Sequence, residues 1–352
     1  MKIQEYVDIK NYSTLQIGGK FRYFTIVDNE KEFGVVYNFA KQNNVPVFIF
    51  GGGSNVVFSD GVINVLALKI EIKGFEIVNQ TKKYVDIKVG GGEVWDKIVE
   101  KTVEMNLQGL EGLSAIPGTV GATPVQNVGA YGSEVKDTII EVEVFDTKDQ
   151  IIKKFSNDDC KFGYRDSIFK NEAKGRYIII SVKYRLRKIV SRENISSSLA
   201  YPGVMEYFSA QGGSASGGDK IENPTLKQLR EAIIEIRKGK LPNPSETPNV
   251  RSFFKNPIVE NSVVEKIKID FPKLKFFPID EKFTKIPAGW LIENAGLRGK
   301  SFGNISIYDK NALVLVNNSR ASKEDLLKAK DEIIKIIKEK FGITLEQEPE
   351  II

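Results

Sequence analysis

The sequence predicts an α+β fold built from more than one domain. Residues 22–50 read as strand, helix and strand, because apolar residues recur every three or four positions between two runs of strand-forming residues. Residues 84–186 contain several strand candidates and a helix, which is typical of a sheet with its own helical layer. Pro242, Pro244 and Pro248 then mark a boundary before a third segment.

Each segment divides into individual elements. We expect helices over residues 31–42, 94–106, 224–237, 262–269, 287–295 and 322–341. Ser322 has the residue type of an N-cap for the last of these helices, and Gly342 that of its stop. We expect strands over residues 22–27, 45–50, 84–89, 139–144, 178–186, 312–317 and 343–352. The Gly- and Ser-rich residues 211–219 predict a flexible excursion.

Composition excludes several classes of site. The chain has 352 residues, of which 41% are hydrophobic and 28% charged, as in a globular protein of two or three domains. It has no histidine, which excludes Ser-His-Asp triads, zinc or haem held by histidine, and flavin attached through histidine. The single cysteine, Cys160, has no partner for a disulfide or a Cys-based metal site, so we expect it to be structural and expect no metal.

Charge and hydropathy limit the partners. A net charge of +5 suits small anionic ligands but is too modest and dispersed for nucleic acid. No run approaches the roughly twenty apolar residues that a membrane span requires. The N-terminus lacks the apolar core of a signal peptide. We therefore expect a cytoplasmic protein with no nucleic-acid partner and no membrane insertion. We also expect a monomer.

Two glycine-rich stretches are the main candidates for a ligand site. Residues 112–134 include Gly118, Gly121 and Gly129, and they carry one charge, at the end. Glycine lets backbone N–H groups approach a ligand, which predicts a pyrophosphate cradle, with a plain surface loop as the alternative. The second stretch, residues 51–55, follows a strand candidate and matches neither Walker A nor the Rossmann glycine pattern.

These stretches resemble the FAD cradle of the vanillyl-alcohol-oxidase (PCMH) type fold, which has two non-Rossmann glycine loops. Residues 116–132 read Ile-Pro-Gly-Thr-Val-Gly-Ala-Thr-Pro-Val-Gln-Asn-Val-Gly-Ala-Tyr-Gly. That sequence is similar to the corresponding motif of the UDP-N-acetylenolpyruvoylglucosamine reductases (MurB) of peptidoglycan precursor synthesis. The resemblance implies a three-domain flavoprotein. Residues 1–66 with 342–352 would form one FAD-binding subdomain, residues 67–240 the other, and residues 241–341 the substrate-binding domain.

The resemblance also implies the reaction. NADPH would reduce a non-covalently bound FAD and leave, and flavin N5 would then give hydride to C3 of UDP-N-acetylglucosamine enolpyruvate, forming UDP-N-acetylmuramate. The implied FAD-binding residues are Gly51, Gly52, Gly53, Ser54, Asn55, Gly118, Thr119, Gly121, Ala122, Gln126, Asn127, Gly129, Ala130 and Tyr131.

Three catalytic residues follow from the same resemblance. The family's catalytic arginine falls on Arg165, its general-acid serine on Ser252, and its catalytic glutamate on Glu348. Glu346 and Glu350 stay open as alternatives to Glu348, because glutamates spaced by two share one face of a strand. Without the resemblance, these residues would be read as a surface turn, a loop hydroxyl and solvated acids near the C-terminus.

The chemistry explains the residue types. Hydride addition to C3 places negative charge on C2 and its carboxylate, which the fixed fork of an arginine can bind through two hydrogen bonds. A serine can protonate C2 because a carbanion is a still stronger base. The glutamate would organise the site or share a proton with the carboxylate.

The remaining implied residues concern the substrate. Tyr201 matches the capping tyrosine of the subgroup with an extra loop in the middle domain. Lys240 and Asn256 match residues that hold the phosphates and neighbouring polar groups, and Asn311 matches a position near the uridine. The family usually has glycine where this chain has Arg251, directly before the serine. A strained positive φ and a contact with substrate are both open explanations.

Two other functions stay open. The chain could be another FAD oxidoreductase of the same fold, or a nucleotide-sugar binding protein that has lost catalysis. A binding protein need not keep all three catalytic residues, so their joint presence favours an active enzyme.

Overall fold

The computed structural model describes residues 2–189, 201–211 and 223–352. The predicted excursion over residues 211–219 lies outside the described residues, except for Gln211. The chain forms two compact units. Unit 1 comprises the described residues within 1–7, 21–52 and 64–238, and unit 2 comprises residues 8–20, 53–63 and 239–352. The division into three domains stays a prediction.

The described residues form seven α-helices and six short 3-10 turns, one of which directly precedes the first helix. In chain order the helices are α1 (Phe33–Gln42), α2 (Trp95–Glu104), α3 (Pro202–Gln211), α4 (Leu226–Lys240), α5 (Asn261–Asp270), α6 (Ala288–Asn294) and α7 (Lys323–Phe341). The strands are β1 (Gln4–Asp8), β2 (Lys20–Val27), β3 (Val47–Phe50), β4 (Val56–Val57), β5 (Val62–Ile70), β6 (Phe75–Gln80), β7 (Tyr84–Gly90), β8 (Leu107–Gln108), β9 (Gly129–Ala130), β10 (Ser133–Glu134), β11 (Ile139–Asp146), β12 (Ile151–Ser156), β13 (Tyr177–Lys188), β14 (Asn249–Ser252), β15 (Ile258–Glu260), β16 (Phe277–Pro278), β17 (Phe283–Lys285), β18 (Ser301–Phe302), β19 (Ile305–Ile307), β20 (Val314–Asn317) and β21 (Glu350–Ile351).

Unit 1 has two larger sheets and the short antiparallel pair of β9 and β10. One has the strand order β1-β2-β5-β3, and the other β12-β11-β13-β7-β6 with β8 paired to β13. Antiparallel ladders join β11, β13 and β7, whereas β3 and β5 run parallel. The apolar face of α1, with Phe33, Val36 and Ala40, packs against residues of both sheets, including Leu66 and Ile178. The predicted strand-helix-strand opening and the separate sheet after it are confirmed.

Unit 2 contains a four-stranded sheet of order β14-β20-β19-β18 and a three-stranded sheet of order β15-β17-β16. Its core includes buried residues of α5, α6 and α7. Both predicted ends of α7 are confirmed: the Ser322 hydroxyl accepts a hydrogen bond from the Asp325 N–H, and Gly342 has a φ of +70°.

The strand predicted over residues 343–352 is only partly correct. The segment makes one bridge, between Gln347 and Phe254, and a second pairing in β21. Pro349 stands between the two pairings and has no N–H to donate, so one continuous ladder cannot form there.

Two further observations concern the described residues as a whole. Cys160 is buried, and burial raises the pKa of its thiol to about 12, which supports the structural role expected for it. None of the described helices has the length and apolar character needed to cross a membrane.

Candidate active site

The two predicted glycine loops meet within unit 1. A Cβ added to Gly51 would lie 2.5 Å from the Thr119 hydroxyl oxygen, and one added to Gly52 would lie 3.0 Å from the Gly118 Cα. Gly118 also has a φ of +119°, where other residues are strained. Glycine is therefore required on both loops for this close approach.

The central stretch is fixed against the start of α2. The Trp95 N–H donates to the Gly118 carbonyl at 3.0 Å, and the indole N–H of Trp95 donates to the Leu113 carbonyl at 3.0 Å. The Gly121 N–H donates to the Gly91 carbonyl at 2.8 Å. These bonds hold the glycine-rich stretch against Gly91 and the start of α2.

Asn127 has a structural use for its side chain. It is fully buried, and its amide nitrogen donates to Glu134 Oε2 and to the Gly163 carbonyl, both at 2.9 Å. Its amide oxygen accepts from the Lys136 N–H at 3.2 Å. Asn127 thus fastens the glycine-rich stretch to the turn that carries Arg165.

Arg165 lies in a tight turn closed by two hydrogen bonds between the backbones of Gly163 and Asp166, at 3.0 and 3.3 Å. Its φ is +55°, an uncommon conformation for a residue with a side chain. The guanidinium Nη2 donates to the Gly129 carbonyl at 2.8 Å. The structure therefore places this cation directly beside the predicted cofactor stretch.

Tyr131 and Tyr201 also come together in unit 1. Their rings meet edge to face with centroids 5.2 Å apart, and the side chain of Tyr201 stays substantially exposed. Burial raises the pKa of the Tyr131 hydroxyl, which hydrogen-bonds to Arg237. The residue aligned with a capping tyrosine thus lies against a residue of the predicted cofactor stretch.

Sequence reasoning missed Arg237. Its Nε is buried and has no hydrogen-bond partner among the residues that the structure describes, and burial lowers the pKa of its guanidinium. Arg230, one heptad earlier on α4, is also buried and binds the Asp96 carboxylate through Nη1 and Nη2 at 2.6 and 3.0 Å. Two arginines seven positions apart share a helix face, and this spacing is the signal that could have drawn attention to them.

In unit 2, backbone pairing brings Glu348 next to the residue after Ser252. The Glu348 N–H donates to the Phe253 carbonyl at 2.8 Å. Of the alternatives, Glu346 forms an ion pair with Lys255, and its side chain is 71% exposed. The Glu350 N–H instead pairs with the Asn55 carbonyl at 3.1 Å. Of the three glutamates, Glu348 is the one whose N–H bonds to the residue after Ser252, and its catalytic role stays a prediction.

The structure bears on one of the two explanations given for Arg251, the strained positive φ. Asn249 pairs with Val316 and Ser252 pairs with Val314, so β14 carries one extra residue, a β-bulge. Arg251 has a φ of +63° in that bulge. Arg251 thus has the positive φ that glycine adopts without strain, and a contact of its side chain with substrate stays a prediction. The bulge also sets the direction of the next side chain, that of Ser252.

The Arg251 side chain donates from Nη1 to the Pro242 carbonyl at 3.3 Å. Arg251→Gly relieves about 1–2 kcal/mol of left-handed strain. The same change destabilises the folded protein in two ways. The greater entropy of the unfolded chain costs about 0.4–1 kcal/mol, and the lost hydrogen bond costs about 0.5–1.5 kcal/mol. We expect its free energy of unfolding to stay within about 1 kcal/mol of wild type.

Arg251→Ala is the matched comparison, because it loses the same hydrogen bond and keeps the strain. We expect it to be less stable than Arg251→Gly by about 1 kcal/mol. Urea denaturation of the two variants measures the difference. An alanine variant at least as stable as the glycine variant would show that the backbone at this position is not strained.

Most of the remaining predicted residues lie in unit 2. A Cβ on Gly53 would lie 1.8 Å from the Tyr12 carbonyl oxygen, and its φ is +63°, so Gly53 is required there. Lys240 is exposed at the end of α4. Asn256 Oδ1 accepts from the Ala288 N–H at 2.9 Å, at the start of α6.

Asn311 makes a comparable local bond, since its Oδ1 accepts from the Leu313 N–H at 3.0 Å. In both asparagines the amide oxygen is therefore used within the protein. Ser54 and Asn55 follow Gly53 directly and lead into β4, and in unit 1 Ala122, Gln126 and Ala130 lie half-buried along the central stretch.

Comparison with known proteins decides the family. Residues 21–154 match the FAD binding domain, and residues 243–352 match the C-terminal domain of UDP-N-acetylenolpyruvoylglucosamine reductase. A UDP-N-acetylenolpyruvoylglucosamine reductase of Flavobacterium johnsoniae is 40% identical over 352 residues, which cover 100% of both chains. The chain belongs to the UDP-N-acetylenolpyruvoylglucosamine reductase family.

Other members agree. The reductase of Bdellovibrio bacteriovorus is 37% identical over 349 residues, with 99% of each chain covered. The crystal structure of the reductase from Thermus caldophilus has the same fold, with a TM-score of 0.66 at 21% identity over 100% of this chain and 99% of the other. The predicted family and the α+β fold with an FAD-binding domain are confirmed. The site residues stay predictions.

Proposed function

We propose that this chain reduces UDP-N-acetylglucosamine enolpyruvate to UDP-N-acetylmuramate with FAD and NADPH. One observation carries the proposal, namely the end-to-end similarity to UDP-N-acetylenolpyruvoylglucosamine reductases. The local geometry is consistent with it. Arg165 lies at the glycine-rich stretch of unit 1, and Ser252 and Glu348 lie on neighbouring segments of unit 2.

The glycine contacts fit a cofactor held through backbone groups. A side chain on Gly51 or Gly52 would collide with the facing loop, and Arg237 offers a buried donor in the same unit. Gly51, Gly52, Gly118 and Thr119 would lie against the pyrophosphate. When bound and reduced by NADPH, FAD supplies a hydride from N5 to C3 of the enolpyruvyl group.

The side chains would then handle charge and protons. Arg165 would bind the substrate carboxylate and stabilise the negative charge that spreads onto it, since a guanidinium is always charged and its donors are fixed in a plane. Ser252 would donate its hydroxyl proton to C2. Glu348 would orient the carboxylate or share a proton with it.

The substrate-binding residues have matching chemistry. The exposed ammonium of Lys240 is a mobile point charge that suits a pyrophosphate. Asn311 uses its amide oxygen internally, so its amide nitrogen would be the donor toward a uridine. Tyr201 would cover the substrate, with Asn256 on its polar groups. The monomeric state and cytoplasmic location stay predictions.

The proposal is tested by supplying the purified protein with NADPH and the enolpyruvyl sugar and weighing the sugar by mass spectrometry. The expected product is heavier than the substrate by one hydride and one proton. Oxidation of NADPH that leaves the sugar unchanged would point to another flavin oxidoreductase of this fold. Binding of the sugar without oxidation of NADPH would point to a binding protein.

We expect FAD to be released completely when the protein is denatured in acid. The cradle holds the cofactor through backbone donors, and the chain has no histidine to which a flavin could be attached. The absorption spectra of the supernatant and the pellet after acid precipitation measure the release. Flavin colour that stays with the pellet would contradict non-covalent binding.

A further inference from the structure

Residues 346–352 of unit 2 pair with two different neighbours in turn. Upstream, the Glu348 N–H bonds to the Phe253 carbonyl at 2.8 Å. Downstream, β21 runs parallel to β4, and the N–H groups of Glu350 and Ile352 bond to the carbonyls of Asn55 and Val57 at 3.1 and 2.9 Å. Glu348 therefore lies where the segment changes from one partner to the other.

The change of partner leaves the Glu348 backbone dependent on the bonds at both sides. Pro349 follows directly and has no N–H to donate. The Gln347 side chain closes the bend by donating to the Pro349 carbonyl at 3.2 Å. A shift of β21 along β4 would therefore move Glu348 relative to Phe253 and to Ser252 before it.

The downstream end of this segment is fastened by Lys323. Its ammonium donates to the main-chain oxygen of Ile352 at 2.9 Å and to the Ser59 hydroxyl at 2.7 Å, and the Ser59 hydroxyl itself bonds to Ile352. The Lys323 N–H donates to the Asp60 carboxylate at 2.9 Å. The Lys323 side chain thus ties Ile352, directly after β21, to α7 and to Ser59, which follows β4.

The position of Lys323 at the N-terminus of α7 indicates that its charge has a specific role. Lys323 is the first residue of α7, where the helix dipole disfavours a positive charge, and the next two residues are the acidic Glu324 and Asp325 that such a position ordinarily carries. Its bonds to Ser59 and Ile352 give a reason for a cation there.

We infer that Lys323 is a positioning residue for the reduction of the enolpyruvyl group, and that it acts on Glu348 by fixing the register of β21 against β4. The inference rests on the proposed function. Lys323 touches neither the substrate nor the cofactor in this account. Its contribution is to keep Glu348 beside Phe253 while the reaction proceeds.

Lys323→Met keeps an unbranched side chain that is one atom shorter and removes its donors. We expect the turnover number to fall about tenfold, since small displacements of a catalytic group cost about 10²-fold or less. Lys323→Arg, which still donates, should restore turnover to within a few-fold of wild type. The control is Lys328→Met, which removes the same charge from an exposed site on the same helix.

Two measurements separate positioning from general stability. By hydrogen exchange, residues 346–352 should exchange faster in Lys323→Met than in Lys323→Arg or Lys328→Met. In a Glu348→Gln background, Lys323→Met should cause no further loss of turnover, because the group it positions is already changed.

Several results would overturn the inference. Turnover of Lys323→Met equal to that of Lys328→Met would do so, as would an undiminished loss in the Glu348→Gln background. If Lys323→Met does not fold, Ser59→Ala removes one of the same bonds and should give a smaller loss of turnover with the same pattern of exchange. A Ser59→Ala variant with unchanged exchange and unchanged turnover would count against the inference. Wild-type protein that does not reduce the sugar would instead defeat the proposed function.

Discussion

Ser252→Ala should slow the reduction of the enolpyruvyl sugar by about 10²–10⁴-fold, the usual contribution of a positioned general acid. The variant removes one half-buried hydroxyl from the end of β14, so FAD content and bleaching of the flavin by NADPH should stay near wild type. Substrate affinity should change little, because a neutral hydroxyl contributes about 0.5–1.5 kcal/mol to binding.

The measurement is stopped-flow reoxidation of the NADPH-reduced enzyme by the enolpyruvyl sugar. Ser262→Ala is the matched control, because it also removes a serine hydroxyl and Ser262 is exposed on α5. A Ser252→Ala enzyme that turns over within a few-fold of this control would remove Ser252 from the mechanism and favour a water molecule or Glu348 as the acid.

Arg165→Lys should slow the same step by about 10²–10³-fold, which is the cost of losing one preorganised donor to a developing anion. Lysine keeps the positive charge but not the planar fork, so both the two-point contact with a carboxylate and the bond from Nη2 to the Gly129 carbonyl are disturbed. Reduction of the flavin by NADPH should be affected much less.

The two half-reactions are compared by stopped-flow absorbance, with Arg187→Lys as the control at an exposed position of β13 in the same unit. Equal losses in both half-reactions of Arg165→Lys would contradict a role in charge stabilisation. They would indicate that the turn between Gly163 and Asp166 supports the cofactor stretch as a whole.

Local features of the fold could be predicted because their causes lie within a few residues. Ser322 and Gly342 bound α7 through contacts inside one helical turn, and both were predictable from residue type. The apolar spacing of α1 likewise identified its buried face. The strand over residues 343–352 was overextended, because Pro349 interrupts it and its pairing partners are distant in sequence.

Features of the candidate site likewise include local ones, which could be predicted from the sequence, and ones set by packing, which could not. The glycine loops were recognisable from composition, but the 2.5 Å approach of a Gly51 Cβ to Thr119 depends on packing. The positive φ of Arg251 results from a bulge set by pairing with Val314 and Val316, more than sixty positions along the chain. Arg237 could not be predicted from residue type, because its burial depends on how α4 packs near Tyr131.

An anaerobic absorption spectrum of the purified protein tests the central claim most directly. NADPH is added first, and the enolpyruvyl sugar second. We expect the flavin absorbance to bleach with NADPH and to recover when the sugar is added, with UDP-N-acetylmuramate formed in equal amount. Flavin that bleaches and stays bleached in the presence of the sugar would contradict the proposed reaction.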